Sequence, residues 1–134
     1  WREHCRMDVL CDTSFLMALV SAPVKRLEKV EAEVGGFVFL IPSIVVDELE
    51  RLEKRTGPKR SHIARMAREI STSKFRLIDL SKAGHVDEAI LEYAKVSKCV
   101  VATLDRNLRN KLLDTNIPVI SLSNNRLIIA YPRK

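Results

Sequence analysis

The chain has 134 residues, of which 46% are hydrophobic and 30% charged, and it carries a formal net charge of +6. This length corresponds to one domain, and the composition is that of an ordinary globular protein. No apolar run approaches the roughly 18 residues that a membrane span requires, so we expect no membrane partner. The four glycines do not have the spacing of a phosphate-binding loop or of a dinucleotide-binding motif, which excludes both kinds of site.

The spacing of cysteine and histidine argues against a zinc site and a disulfide framework. The three cysteines and three histidines are scattered, and no two cysteines have CxxC spacing. Unpaired cysteines fit a reducing compartment, and residues 1–6 are too polar for a signal peptide, so we expect a cytoplasmic protein. Cys11 and Cys99 lie in apolar runs, where we expect small buried side chains.

Short apolar runs alternate with helical patterns along the chain. We predict strands over residues 9–11, 38–41, 75–80, 99–104 and 118–122, with a last strand over 127–131. We predict helices over residues 14–34, 43–71, 86–97 and 106–114, with breaks at Pro23 and at Gly57-Pro58. The strands are apolar on nearly every residue, which is typical of strands covered on both faces. The pattern predicts an α/β fold, a three-layer α/β/α sandwich with a central, mainly parallel sheet.

We expect the domain to span residues 7–130. Met7 is followed almost at once by the first strand, so residues 1–6 are interpreted as an N-terminal extension or an expression remnant. Residues 131–134 are interpreted as a basic C-terminal tail.

The positive charge is concentrated in one segment. Residues 51–76 contain nine basic and two acidic residues, whereas the rest of the chain contains 14 basic and 15 acidic residues. Such a segment predicts a surface that binds a polyanion, although a solvated basic helix face would show the same pattern. Residues 51–74 contain no aromatic side chain, so contacts to nucleic acid would be made with phosphates rather than by stacking on bases.

Two aspartates follow predicted strands. Asp12 and Asp105 each end an apolar run and begin a helical segment. Either could simply cap a helix, because the carboxylate accepts hydrogen bonds from the free N–H groups of the first turn. Together they place two carboxylates at the carboxyl ends of parallel strands, the edge where ligands bind in α/β sheets.

Two further acids lie on apolar helix faces. Glu48 shares a face with Val45 and Leu49, and an acid that faces the protein body needs a partner, either an arginine or a metal ion. Asp87 shares a face with Ile90 and Leu91 and lies in the first helical turn, where the helix dipole alone could explain it.

These acids stand in segments that resemble the motifs of PIN-domain ribonucleases. The segments, in order, are CDTSFL (11–16), IPSIVVDELERL (41–52), VDEAILEYA (86–94) and VVATLDRNLRNKL (100–112), followed by NIPVISL. The resemblance extends from Met7 to about Ile128 and implies an α/β/α fold with an acidic nuclease site. It selects the same residues as the spacing does: Asp12, Glu48, Asp87 and Asp105.

The resemblance also implies a cofactor and partners. Carboxylate oxygens suit one or two Mg²⁺ or Mn²⁺ ions, held by the four acids that also form the catalytic site. Thr13, Ser14 and Thr103 match family positions that support the site by hydrogen bonding, whereas Asn107 stands where many relatives carry a further acid. For RNA binding we expect Arg55, Lys59, Arg60, Arg65 and Arg68. The expected partners are RNA and either an antitoxin or a ribosome-assembly protein, and we expect a homodimer.

The sequence therefore predicts a Mg²⁺- or Mn²⁺-dependent endoribonuclease that cleaves single-stranded RNA. Two roles remain open, a VapC-like toxin and a ribosomal-RNA processing enzyme. The alternative from a different class is a PIN-like module that binds RNA or takes part in ribosome assembly without cutting.

Overall fold

A computed structural model describes residues 7–21, 37–80, 85–123 and 126–132 of the chain. These residues form six strands and five helices, in an order that alternates the two kinds of element along most of the chain. The elements are β1 (Met7–Cys11), α1 (Thr13–Val20), β2 (Phe37–Pro42), α2 (Ser43–Arg55), α3 (Pro58–Lys74), β3 (Arg76–Ile78), α4 (Val86–Ser97), β4 (Val100–Ala102), α5 (Arg106–Asp114), β5 (Val119–Ser123) and β6 (Arg126–Ala130).

The six strands form a single sheet in the order β3-β2-β1-β4-β5-β6. The first five strands of this order are parallel, and β6 pairs antiparallel with β5. The predicted α/β/α sandwich with a mainly parallel sheet is thereby confirmed. The order places β2 on one side of β1 and β4 on the other, so the chain changes direction across the sheet at β1 and β4. In such sheets a ligand site forms outside the carboxyl ends of the two strands at the switch point.

The core is centred on the two strands at this switch point. Every residue of β4 is buried, as are Val9, Leu10 and Cys11 of β1, because helices cover both faces of the sheet. Cys99 is buried as well, so the structure agrees with the prediction that Cys11 and Cys99 are small core side chains. Burial raises the pKa of both thiols, that of Cys99 to about 11, which keeps them in the unreactive thiol form.

The helices agree with the predicted pattern, with differences at their ends. The Gly57-Pro58 break is confirmed, because α2 ends at Arg55 and Pro58 occupies the first position of α3, where its missing N–H costs no hydrogen bond. The α3 helix continues to Lys74, beyond the predicted end at residue 71. The helix predicted over 14–34 ends at Val20 in α1, and Pro23 with the rest of that prediction lies outside the described residues. No described helix is long and apolar enough to cross a membrane.

Two predicted strands are shorter in the structure. The strand predicted over 75–80 is limited to Arg76–Ile78. The strand predicted over 99–104 ends at Ala102, because the amides of Leu104 and Asp105 bond to side-chain hydroxyls instead of a neighbouring strand. Residues 1–6 and the last two residues of the predicted tail lie outside the described residues.

Candidate functional site

The four predicted acids follow four different strands of the sheet. Asp12 comes directly after β1, and Asp105 lies three residues after the end of β4, the strand that pairs with β1. Glu48 lies in the second turn of α2, which begins immediately after β2, and Asp87 is the second residue of α4, the first described element after β3. The sheet topology therefore directs all four acids to its carboxyl edge, at the switch point between β1 and β4.

Asp12 is the most deeply buried of the four. Its side chain is 5% exposed, and its Oδ1 accepts hydrogen bonds from the Phe15 amide at 2.9 Å and the Ser14 hydroxyl at 2.8 Å. The Thr103 hydroxyl donates to its Oδ2 at 2.5 Å. Burial raises the pKa of Asp12 to about 6, although these three hydrogen bonds act in the opposite direction, and the charge of Asp87 raises it further.

Two hydroxyl groups join Asp12 to the segment that follows β4. Ser14 accepts a hydrogen bond from the Leu104 amide at 2.9 Å while it donates to Asp12. Thr103, which is fully buried, accepts one from the Asp105 amide at 3.0 Å while it donates to Asp12. Because each hydroxyl both accepts and donates, its proton is directed at the carboxylate and the carboxylate is held in one orientation.

Glu48 is held from the neighbouring helix. The Thr13 hydroxyl, at the first position of α1, donates to Oε1 of Glu48 at 2.5 Å. Glu48 is half-buried, whereas its sequence neighbours Asp47 and Glu50 are exposed, as the apolar-face argument predicted. Among the described residues Glu48 has no ion pair, so the arginine partner considered from the sequence is not found there.

Asp87 links the four acids electrostatically. Its pKa is raised first by partial burial and then by the negative charges of Asp105 and Glu48, while Lys111 and His85 partly offset this effect. Asp87 in turn raises the pKa of Asp12. The four carboxylates therefore share one region of negative potential, even though they come from elements far apart in sequence.

The helix-cap interpretation is also correct for both strand-end aspartates. Asp12 caps α1, and Oδ1 of Asp105 accepts from the Leu108 amide at 3.1 Å to cap α5. Within the described part of the chain, no three acidic, histidine or cysteine side chains stand close enough to hold a metal ion. Within the same part, Oε2 of Glu48, Oδ2 of Asp105 and both Asp87 carboxylate oxygens accept no hydrogen bond, so oxygen ligands are still available.

The predicted RNA-binding residues fall into two groups. Arg68 forms a two-pronged ion pair with Glu53, at 3.0 and 3.3 Å, and its hydrogen bond lowers the pKa of that carboxyl. Arg65 pairs with Glu69 at 3.7 Å on the surface of α3. The second group is exposed and has no ion pair with any described residue; its members are Arg55, Lys59 and Arg60.

Several contacts at the site could not be assigned from the sequence. Thr13, Ser14 and Thr103 were expected to support the acids, but only the fold shows that Thr13 bonds to Glu48 and that the other two bond to Asp12. The clearest signal in the sequence is the pair of hydroxyl residues immediately after Asp12. Met17 and Ala18 of α1, which border Lys59 and Arg60, were not considered as site residues because their segment has the pattern of an apolar helix.

Comparisons with known proteins agree with this fold. A family model described as a PIN like domain matches residues 9–125. Ribonuclease VapC4 of Methanocaldococcus jannaschii is 33% identical over 117 residues, which cover 84% of this chain and 87% of that protein. The structure of the PIN domain endonuclease Utp24 aligns with a TM-score of 0.76 at 24% identity, over 92% of this chain and 91% of that one.

A second solved structure has the same fold. It is VapBC2 from Rickettsia felis bound to a DNA fragment from its promoter, which aligns with a TM-score of 0.65 at 18% identity, over 87% of this chain and all of that one. At these identities the two structural matches bear on the fold alone, whereas the family model and the VapC4 match extend over most of the sequence. The chain belongs to the PIN-like domain family.

Proposed function

We propose that this protein is a metal-dependent endoribonuclease that cleaves single-stranded RNA. The observation that carries the proposal is that the charges of Asp105 and Glu48 raise the pKa of Asp87, and that the charge of Asp87 raises the pKa of Asp12, at the carboxyl edge of the sheet. Like charges held together in a partly buried site cost stability, which a bound cation would offset. The ribonuclease name of the VapC4 relative supports the same class of reaction. The proposed catalytic and metal-binding residues are Asp12, Glu48, Asp87 and Asp105.

The donor chemistry fits Mg²⁺ or Mn²⁺. All four side chains offer hard carboxylate oxygens, and several of these oxygens accept no hydrogen bond from a described residue. One or two such ions, when bound, would lower the pKa of a water molecule and stabilise the leaving oxygen of a phosphodiester.

Three hydroxyl side chains orient two of the carboxylates that would bind the metal ion. Ser14 and Thr103 fix the orientation of Asp12, and Thr13 fixes that of Glu48. Hydrogen bonds of this kind hold the ligands of metal sites in their productive orientation and affect metal affinity strongly when they are removed. We therefore assign Thr13, Ser14 and Thr103 as positioning residues.

The proposal is tested by cleavage of single-stranded RNA with neighbouring acids as matched controls. Glu48→Gln and Asp87→Asn should each lower the cleavage rate by roughly a hundredfold or more, because loss of one ligand disturbs the whole metal site. Their controls, Asp47→Asn and Glu88→Gln, change exposed acids one residue away and should cleave at the wild-type rate. EDTA should abolish cleavage. Wild-type rates in EDTA, or full activity in both site variants, would disprove the metal mechanism.

The relatives favour a toxin with an antitoxin partner. VapC4 is matched over most of the sequence, and VapBC2 shares the fold. We include in this proposal an antitoxin that binds the nuclease, and a homodimer as its solution state. Expression of the protein alone should arrest growth, and co-expression of an antitoxin-like neighbouring reading frame should relieve the arrest. Growth unaffected by the active nuclease would instead favour the ribosomal-RNA processing role.

One observation favours a non-catalytic alternative. Asp12 and Asp105 each serve as a helix cap, a purely structural task, and no three ligands are assembled within the described residues. A binding module of this kind would retain RNA with equal affinity in EDTA and in Mn²⁺ and would leave the RNA uncut. The cleavage assay with its matched controls separates the two functions directly.

A further inference from the structure

A groove lies between the end of α1 and the beginning of α3. Its volume is about 350 Å³, and it is shallow and open to the surface. Three of its side chains are apolar, and two carry positive charge. The lining residues are Met17, Ala18, Ser21, Lys59, Arg60 and Ile63.

The positive charge beside this groove is not neutralised by acids of the same helices. The sequence from Lys54 to Arg68 contains no acidic residue. The acids that flank this stretch, Glu53 and Glu69, already pair with arginines of α3. Lys59 and Arg60 are exposed, so their charges are available to an anion that approaches the groove.

The groove also has an apolar wall, which is aliphatic rather than aromatic. Residues 51–74 contain no aromatic side chain, but Met17 and Ala18 of α1 face Ile63 of α3 across the groove. A nucleotide has matching chemistry, because its base presents an apolar face and its phosphate a negative charge. A purely apolar ligand would not use the cations, and a purely ionic ligand would not use the apolar wall.

The groove lies at the opposite end of α1 from Asp12. Asp12 caps the first turn of this helix, whereas Met17, Ala18 and Ser21 belong to its last turn and its C-terminal cap. At a rise of about 1.5 Å per residue, the eight residues of α1 separate the two places by roughly 12 Å.

We propose that this groove is a nucleotide-binding subsite that holds one base and its phosphate of a single-stranded RNA, at a distance from the bond that is cut. The inference rests on the proposed nuclease function, since that function defines where the cut occurs. It assigns Lys59 and Arg60 to the phosphate, and Met17, Ala18 and Ile63 to the base. The subsite makes affinity depend on the length of the RNA strand.

The experiment measures binding of fluorescently labelled single-stranded RNA of increasing length by anisotropy, in EDTA so that no strand is cut. For the wild type, Kd should fall in a distinct step once the strand is long enough to fill the groove while its other nucleotides contact the exposed basic residues beside it. In Lys59→Ala/Arg60→Ala this step in Kd should disappear. In Ala18→Leu, which narrows the groove without removing a charge, the step should be reduced.

The matched control is Lys74→Ala/Lys95→Ala, which removes the same charge from two exposed positions outside the groove. This control should keep the wild-type step. A step of equal size in the groove variants and the control would overturn the subsite, as would a smooth dependence of Kd on length in the wild type. Unchanged RNA affinity in both groove variants would mean that the groove serves another ligand, such as a protein segment. Cleavage of RNA in Mn²⁺, measured separately, shows whether the proposed nuclease function stands in each case.

Discussion

Thr13 donates a 2.5 Å hydrogen bond from its hydroxyl to Oε1 of Glu48, across 35 residues of sequence. The bond joins the first residue of α1 to the second turn of α2, so it connects the elements that follow β1 and β2. Thr13 lies next to Asp12, which makes α1 the element that organises two of the four acids at once.

Removal of this hydroxyl should lower activity without a large loss of stability. Thr13→Val keeps the shape of the side chain but leaves Glu48 free to rotate, so we expect kcat to fall by roughly 10- to 100-fold, in line with the roughly 1.5–3 kcal/mol of a hydrogen bond to a charged group. KM for RNA should change little, because Thr13 is remote from the basic residues. Thr13→Ser should restore most of the activity. A Thr13→Val enzyme with wild-type kcat would show that Glu48 needs no such support.

Asp12 should make the metal-free protein less stable as the pH rises. Burial raises the pKa of this carboxyl to about 6, so the folded state binds the proton more tightly than the unfolded state does. The resulting stabilisation is complete below roughly pH 4 and is lost as the pH rises through the folded pKa, with a loss of up to roughly 3 kcal/mol. Urea unfolding of the wild type in EDTA, from about pH 4.5 to about pH 7.5, should show that decline. Asp12→Asn should show a flatter profile, and an identical decline in both proteins would assign the effect to other groups.

A bound cation should restore the stability that the charged Asp12 carboxylate removes at neutral pH. Mn²⁺ that binds only the folded state raises the melting temperature in a concentration-dependent way. In Asp12→Asn, most of this rise should be lost, whereas the melting temperature without metal should be equal to or above that of the wild type. Asp47→Asn, an exposed acid of α2, serves as the control and should keep the full response to Mn²⁺. Equal shifts in all three proteins would leave Asp12 as a helix cap only, because asparagine is a good cap.

The two groups of arginines and lysines on α2 and α3 should behave differently. Arg68→Ala breaks a partly exposed, two-pronged ion pair with Glu53, and we expect a small loss in the free energy of unfolding with little change in RNA affinity. Arg55→Ala/Lys59→Ala/Arg60→Ala should weaken RNA binding instead and reduce the slope of log Kd against log salt by about 2, roughly 0.7 for each phosphate that is no longer neutralised. An unchanged slope in the triple variant would mean that these residues form a solvated surface that does not touch RNA.

The sequence was most informative where one local pattern decides the structure. The helices over 86–97 and 106–114 have the predicted bounds because the apolar spacing and the capping residue Asp105 agree. The break before Pro58 follows from proline chemistry alone. In contrast, the predicted strand over 99–104 ends early, because the amides of Leu104 and Asp105 donate to the hydroxyls of Ser14 and Thr103 rather than to a neighbouring strand. Ser14 is 90 residues from Leu104 in sequence. An interaction over that distance leaves no local pattern in the sequence.

Ion pairs between residues that are far apart in sequence also leave no local pattern. Arg68 is indistinguishable in sequence from Arg60, because both lie in the same basic helix, whereas Glu69 stands four residues after Arg65. Only the packing of α3 against α2 brings Arg68 to Glu53, and a helical spacing of four residues pairs Arg65 with Glu69. The four acids, in contrast, could be selected from the sequence, because strand ends and apolar faces are local features. Their common place at the carboxyl edge of the sheet then follows from the strand order.

The hydrogen bond between Thr103 and Asp12 has a consequence for folding during synthesis. It joins residues 91 positions apart, and it exists only once β4 has paired with β1. A nascent chain that has not yet released β4 from the ribosome contains Asp12, Glu48 and Asp87 but lacks the segment that orients the first of them. Pairs of this sequence separation form late, because closing a long loop costs entropy before any interaction compensates for it. The proposed nuclease site is thus incomplete until almost the whole domain has been synthesised.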